Sequence, residues 1–199
     1  MVPLDLASGD AEDVDGVNVV NVNPAHQLFA FGIEGNGTVQ FWDPRSRSRV
    51  GLLHLPTSTL TPNGMDTAMD LSVTAIASRS DGLSYAIGTS TGHTLLYDIR
   101  SPRPYASKDQ GYGLPVKCVE WVEGGSRVAG EGLVISADKK VVKIWDRNSV
   151  SVLDNFVVSI SHGFRPIQTS HRSRLLQILI TYTIFLALAF SCLRMKVYI

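Results

Sequence analysis

Three stretches of the chain end in the same way: TVQFWD at residues 38–43, TLLYD at residues 94–98 and VVKIWD at residues 141–146. Each is rich in apolar and β-branched residues, closes on an aromatic residue followed by Asp, and is soon followed by an arginine. The aromatic positions lie 55 and then 48 residues apart. Self-similarity at such a spacing is typical of repeat architectures, so the chain is predicted to consist of repeated structural units.

Each unit contains two further runs of strand-forming residues before this ending. The runs lie at residues 17–22 and 28–32, 73–77 and 85–88, and 116–121 and 133–136. Asn36-Gly37 and Thr91-Gly92 separate strand-like runs, and such pairs tolerate the positive φ angles of hairpin turns. Apolar residues three and four positions apart, the pattern of a helix, do not stand out before residue 150. Each unit is therefore predicted to be an antiparallel sheet.

A Trp-Asp ending on a unit of short strands resembles the WD-repeat β-propeller, whose blades recur about every 40–45 residues. Inserts, chiefly at residues 53–70 and 102–115, account for the longer spacing. About three blades are recognisable, whereas a closed propeller has about four to eight. The sequence therefore predicts an all-β fold, an incomplete WD40-type β-propeller of about three blades, in a domain at residues 1–150.

Longer stretches are similar to one family of WD-repeat proteins. They read EGNGTVQFWDPR at residues 34–45, GHTLLYDIRSPRP at 92–104, KDQGYGLPV at 108–116 and LVISADKKVVKIWD at 133–146. Over about residues 5–150 the chain resembles nucleolar protein 10, a WD-repeat component of the nucleolar assembly that builds the small ribosomal subunit, in truncated form. The resemblance implies a nucleolar, non-catalytic scaffold whose partners are ribosome-assembly proteins, with pre-rRNA as a further candidate.

The composition argues against several other classes of function. Eighteen basic residues balance eighteen acidic residues, which excludes electrostatic capture of nucleic acid by the chain as a whole. Two cysteines exclude a disulfide framework and a thiolate zinc site, and the five histidines have no metal-ligand spacing. GTSTG at residues 88–92 matches a nucleophile elbow, but a predicted strand follows it where that mechanism needs a helix. We therefore expect no catalytic residue, metal, cofactor or small-molecule substrate.

Two groups of residues are candidates for structural or binding roles. The repeat motif consists of Trp42, Asp43, Tyr97, Asp98, Trp145 and Asp146. Its aspartates are expected to fix the turn after each strand. The candidate interaction residues are Arg45, Arg100, Arg103, Tyr105, Tyr112 and Arg147. The arginines either line one rim and contact RNA phosphate or acidic protein, or are solvated charges. The tyrosines either form a binding loop or cover a blade edge.

The chain changes character after residue 150. Residues 1–150 hold 13 basic and 17 acidic side chains, whereas residues 151–199 hold 5 and 1. The run from Leu175 to Leu193 has no charge, is predicted to be helical, and is long enough to span a bilayer. Three interpretations remain open: a non-family end on a product without independent function, the anchor of a tail-anchored WD-repeat adaptor at an intracellular membrane, or a segment that packs on a blade edge.

Overall fold

Every regular element in the described part of the chain is a β strand. The computed structural model describes residues 16–56, 71–122, 132–159 and 163–166. Its strands are β1 (Val17–Val22), β2 (Phe29–Ile33), β3 (Thr38–Asp43), β4 (Ser48–His54), β5 (Val73–Ser78), β6 (Ser84–Thr89), β7 (His93–Asp98), β8 (Ala106–Asp109), β9 (Cys118–Val122), β10 (Leu133–Ala137), β11 (Val141–Asp146), β12 (Val152–Ser159) and β13 (Gly163–Pro166). The predicted apolar helix at residues 175–193 lies outside the described residues.

The strands form three antiparallel sheets, each built from strands consecutive in the chain. Their orders are β1-β2-β3-β4, β5-β6-β7-β8 and β9-β10-β11-β12-β13. The three Trp-Asp or Tyr-Asp endings fall at the ends of β3, β7 and β11, and the hairpin glycines Gly37 and Gly92 have φ angles of 62° and 87°. Each sheet is therefore one repeat unit, which confirms the prediction of all-β blades.

A fourth strand follows the aromatic–Asp ending in every sheet. In the second sheet it is β8, which lies within residues 102–115, a stretch predicted to be an insert. The insert interpretation is wrong there because the chain turns back after β7 and pairs Ala106 with Leu96. In the third sheet, β12 and β13 come after residue 150 and extend the sheet beyond β11, so this sheet crosses the domain boundary predicted at that position.

Apolar side chains fill the spaces between neighbouring sheets. The first strands of the three sheets are neighbours, β1 beside β5 and β5 beside β9. One cluster between the first two sheets includes Phe41, Val73 and Tyr85, and a second between the next two includes Val116 and Trp145. Because the sheets pack face to face in chain order, they have the arrangement of successive propeller blades.

Two strand glycines permit this close packing of blades. A Cβ atom at Gly32 would lie 2.5 Å from Cγ1 of Val73, and one at Gly88 would lie 2.7 Å from Cγ1 of Val116. Real Cβ atoms do not approach other carbons this closely, so only glycine fits without displacement of the neighbouring blade.

Candidate functional site

The turns of the blades lie at two opposite ends. Because successive strands alternate in direction, the β1–β2 and β3–β4 turns share one end, and the β2–β3 and β4–β5 connections share the other. Neighbouring blades have the same orientation, since Asn23 Nδ2 donates to Gly82 O at 2.8 Å at the first end. At the second end, Gly35 N donates to Ser72 Oγ at 3.0 Å. We call the first end, with Arg45, Arg100, Arg103 and Arg147, the arginine rim.

The motif aspartates shape the turns of the arginine rim. Asp43 Oδ1 accepts a hydrogen bond from Arg45 N at 2.8 Å, and Asp98 Oδ1 accepts one from Arg100 N at 2.9 Å. Asp146 Oδ1 accepts from the backbone amides of Asn148 and Ser149, both at 2.8 Å. Each carboxylate therefore satisfies backbone donors within its own turn, as Asp does in Asx turns.

The electrostatics of the rim differ from blade to blade. Arg100 donates from Nε and Nη2 to the two carboxylate oxygens of Asp98 at 2.8 and 2.6 Å. The side-chain hydrogen bonds from Arg100, followed by the backbone hydrogen bond, lower the pKa of Asp98 to about 2. In the third blade, hydrogen bonds led by the one from the Ser149 amide lower the pKa of Asp146.

The four arginines are consequently not equivalent. Ion pairs between the residues that the structure describes join Arg79 to Asp81 and Arg100 to Asp98, and none involves Arg45 or Arg103. Arg45 and Arg103 are both exposed. Arg147 is half-buried, and its Cδ lies 2.6 Å from the position that a Cβ at Gly132 would take. Arg45 and Arg103 are therefore exposed rim cations whose charge is not paired with a described carboxylate.

The structure separates the two candidate tyrosines. Tyr105 lies at the arginine rim, where burial raises the pKa of its hydroxyl, and Arg147 and a hydrogen bond with Ser84 oppose that rise. Tyr112 lies at the opposite end, where Lys140 Nζ is 5.1 Å from the centre of its ring. Tyr105 and Arg147 are thus brought together, whereas Tyr112 belongs to a different surface.

A groove of about 440 Å³ opens between the first two blades beside the rim. Its lining includes Phe41, Leu53, Tyr85, Tyr97, Asp98 and Arg100. Phe41 and Tyr85 pack edge to face with ring centres 5.2 Å apart. Tyr97 is only 1% exposed, and burial raises the pKa of its hydroxyl, which has no hydrogen-bond partner among the described residues. The Tyr that replaces Trp in the second repeat therefore lines this groove.

The two motif tryptophans have different environments. Trp145 is fully buried, and its Nε1 donates to Ser136 Oγ at 3.0 Å. Trp42 is half-buried and donates to Gln40 Oε1 at 3.1 Å. The tryptophan of the third blade thus ties two strands together inside the core, whereas that of the first blade bonds to a residue of its own strand.

Sequence analysis did not identify Asn23, which joins the first two blades. Its side chain is fully buried, and Nδ2 donates to Gly82 O at 2.8 Å and to Tyr85 Oη at 2.6 Å. Its Oδ1 accepts from the amides of Ala25 and His26 at 2.9 and 3.1 Å. The dipeptide Asn23-Pro24 signals a turn, but nothing local in the sequence signals bonds to residues 59 and 62 positions away.

Two kinds of feature are absent from the described ranges. No helix there is long and apolar enough to cross a membrane. Nor does any group of three His, Cys, Asp or Glu side chains in those ranges have the geometry to hold a metal ion. The expectation of no cofactor and no metal stays a prediction.

Solved structures with the same blade arrangement identify the fold. The chain is similar to the C-terminal WD40 domain of Sif2, with a TM-score of 0.56 and 20% identity over 74% of this chain and 38% of that chain. It is also similar to the WD40 repeats of RRP9, with a TM-score of 0.55 and 16% identity over 72% of this chain and 39% of that chain. These similarities show that the three blades have the WD40 β-propeller fold.

Sequence comparison identifies the family. The model of the nucleolar protein 10-like N-terminal domain matches residues 1–173. A relative from Schizosaccharomyces pombe, the ribosome biogenesis protein enp2 homolog, is 48% identical over 74% of this chain and 23% of its own length. Human nucleolar protein 10 is 42% identical over 66% of this chain and 18% of its own length. The chain thus spans less than a quarter of the length of either relative. Because the family model matches most of the chain, the chain belongs to the nucleolar protein 10-like family.

Proposed function

We propose that this chain is a non-catalytic WD-repeat scaffold that binds assembly proteins during small-subunit ribosome biogenesis in the nucleolus. The observation that carries the proposal is the family match over residues 1–173, together with 48% identity to a relative named as a ribosome biogenesis protein. Each motif carboxylate accepts hydrogen bonds within its own turn, so the three are not arranged as a pair of general acid and general base. This arrangement supports binding rather than catalysis.

The arginine rim is the protein-binding surface in this proposal. Arg45 and Arg103 are exposed cations without a carboxylate partner among the described residues. Arg47 and Arg49 add two exposed cations to the first blade. The neighbouring groove offers apolar surface from Phe41 and Leu53. A surface of this kind fits an acidic protein segment that also carries an apolar anchor.

The test is affinity purification of the tagged full chain from its own cells, followed by mass spectrometry of the proteins recovered with it. We expect small-subunit assembly proteins with the unmodified chain and their loss with the double variant Arg45→Glu and Arg103→Glu. The matched control, Arg45→Lys with Arg103→Lys, substitutes the same two positions but keeps both positive charges, and it should retain these proteins. Equal recovery with both variants would overturn the role of the rim, and no assembly proteins with the unmodified chain would overturn the proposed function.

Two further parts of the proposal need separate measurements. Contact with pre-rRNA is tested by crosslinking in the same cells and sequencing of the recovered RNA. The alternative of a tail-anchored adaptor depends on residues 175–193, which lie outside the described part of the chain. Carbonate-resistant recovery with membranes would favour that alternative, whereas rapid turnover of the chain without particle or membrane association would favour a product without independent function.

A further inference from the structure

The end of the blades opposite the arginine rim is rich in lysine. Residues 106–117 and 138–143 contain five lysines but only two carboxylates, Asp109 and Asp138. We call four of them the lysine patch: Lys117, Lys139, Lys140 and Lys143. The fifth, Lys108, is left out because its Nζ donates to Val150 O in the β11–β12 turn, on the side of the arginine rim. The two segments are adjacent, because Lys117 N donates to Ala137 O at 2.7 Å.

The two carboxylates bond to the backbone. Asp109 Oδ1 accepts from Gly111 N at 2.7 Å. Asp138 Oδ1 accepts from the amides of Lys140 and Val141. In the portion of the chain that the structure describes, no ion pair joins a lysine of the patch to a carboxylate. The positive charge of the patch is therefore not locally neutralised.

Two of the lysines lie close together between the second and third blades. Lys143 Nζ donates to Asp109 O at 3.0 Å, and Lys108 Nζ donates to Val150 O at 2.7 Å. Both acceptors are neutral carbonyls, so neither cancels a charge. Burial, and then repulsion from Lys143, lower the pKa of Lys108. A bound anion beside Lys143 would relieve this repulsion, so this part of the lysine patch favours anionic ligands.

An exposed aromatic ring lies beside these cations. Tyr112 is 52% exposed, and Lys140 Nζ lies 5.1 Å from its ring centre. The glycines on either side, Gly111 and Gly113, have φ angles of 85° and 60°, which other residues rarely adopt. Apart from the adjoining residues, no described residue has an atom within 4 Å of the position that a Cβ at Gly113 would take, so the backbone beside Tyr112 is open on this side. A flat ligand group can therefore approach Tyr112.

We propose that the lysine patch and Tyr112 bind single-stranded RNA, with the lysines contacting phosphates and Tyr112 stacking on a base. This inference deepens the pre-rRNA contact of the proposed function and rests on it. Single-stranded nucleic acid is typically bound by cations that follow its backbone and by aromatic side chains that stack on its bases. An acidic protein segment would pair with the lysines but would not need the exposed ring of Tyr112. Single-stranded RNA uses both features, because its phosphates pair with the lysines and its bases stack on the ring.

The test is binding of a fluorescent twelve-nucleotide uridine RNA to the purified full chain over a range of salt concentrations. Each phosphate contact contributes a slope of about −0.7 to the plot of log K against log salt for single strands. The double variant Lys117→Gln and Lys139→Gln should therefore make the slope shallower by about 1.4. Tyr112→Ala should weaken binding about tenfold, whereas Tyr112→Phe, which keeps the ring, should not.

Matched controls separate this site from general charge and from the scaffold role. The variant Arg45→Gln with Arg49→Gln removes two exposed cations at the first blade and should leave the slope unchanged. Circular dichroism verifies that every variant is folded. An equal change of slope in both double variants, equal binding by Tyr112→Ala and Tyr112→Phe, or binding of polyglutamate but not RNA would each overturn the proposal. The RNA-binding assay contains no assembly protein, so a negative result in it would overturn only the RNA-binding proposal. The scaffold proposal is tested separately by the affinity purification.

Discussion

Replacement of Asn23 by Ala should weaken the junction between the first two blades. The side chain of Asn23 is fully buried and makes four hydrogen bonds, to Gly82 O, Tyr85 Oη and the amides of Ala25 and His26. With about 1 kcal/mol for each bond, Asn23→Ala should lower the free energy of unfolding by about 4 kcal/mol. This loss is large compared with the total stability of about 5–15 kcal/mol that is typical of folded domains.

Urea unfolding of the full chain, followed by circular dichroism, measures this loss. Two controls separate the buried junction from a general effect of substitution. Asn18→Ala removes one hydrogen bond between the same blades, from Asn18 Nδ2 to Val73 O at 2.9 Å, and should cost about 1 kcal/mol. Tyr85→Phe removes only the partner hydroxyl of Asn23 and should also cost about 1 kcal/mol.

A double-mutant cycle between Asn23→Ala and Tyr85→Phe should show a coupling energy of about 0.5 kcal/mol or more, because the two side chains share a hydrogen bond. If Asn23→Ala destabilises the chain no more than Asn18→Ala does, the reasoning about this junction is wrong.

Three further predictions concern individual residues. Trp145→Phe should cost about 1–3 kcal/mol of unfolding free energy, measured in urea, because it leaves the buried Ser136 hydroxyl without the indole donor at 3.0 Å. Trp42→Phe should cost less, because Trp42 is only half-buried. Gly32→Ala should lower the melting temperature and cost about 1–3 kcal/mol of unfolding free energy, because its Cβ would be overpacked against Val73. The control Gly51→Ala should be tolerated, because its Cβ would lie 3.4 Å from Phe41. Equal melting temperatures for the two variants would refute this prediction. The pKa of Asp98 is about 2 in the folded chain against an ordinary 3.8, so its stabilising effect is present above about pH 4 and is lost as the pH falls through about 2. Stability measured against pH should therefore converge for the unmodified chain and Asp98→Asn at low pH, and a constant difference would contradict the assignment.

The sequence predicts the strands well because the information for them is local. The runs at residues 17–22 and 141–146 combine β-forming residues with adjacent turn signals, and both are strands in the structure. The sequence does not predict the strand β8, because its residues, ASKD, do not alternate between apolar and polar. It forms because the preceding turn returns the chain to β7, where Leu96 pairs with Ala106.

The candidate site was less predictable because it depends on which end of a blade each turn occupies. Tyr105 and Tyr112 are seven residues apart in sequence, and the strand β8 between them places them at opposite ends. The sequence does not predict the different ion pairing of Arg45 and Arg100 either, since both follow an Asp by two residues. Only the structure shows that Arg100 makes an ion pair with Asp98 and that no described carboxylate pairs with Arg45.

The central claim, that the chain is a scaffold of small-subunit assembly, is tested most directly by sedimentation of the tagged full chain from its own cells on a sucrose gradient. The account predicts that the chain co-sediments with small-subunit precursor particles and that the Arg45→Glu, Arg103→Glu variant shifts to the top of the gradient. Recovery of the unmodified chain only at the top of the gradient or in carbonate-resistant membranes would contradict it.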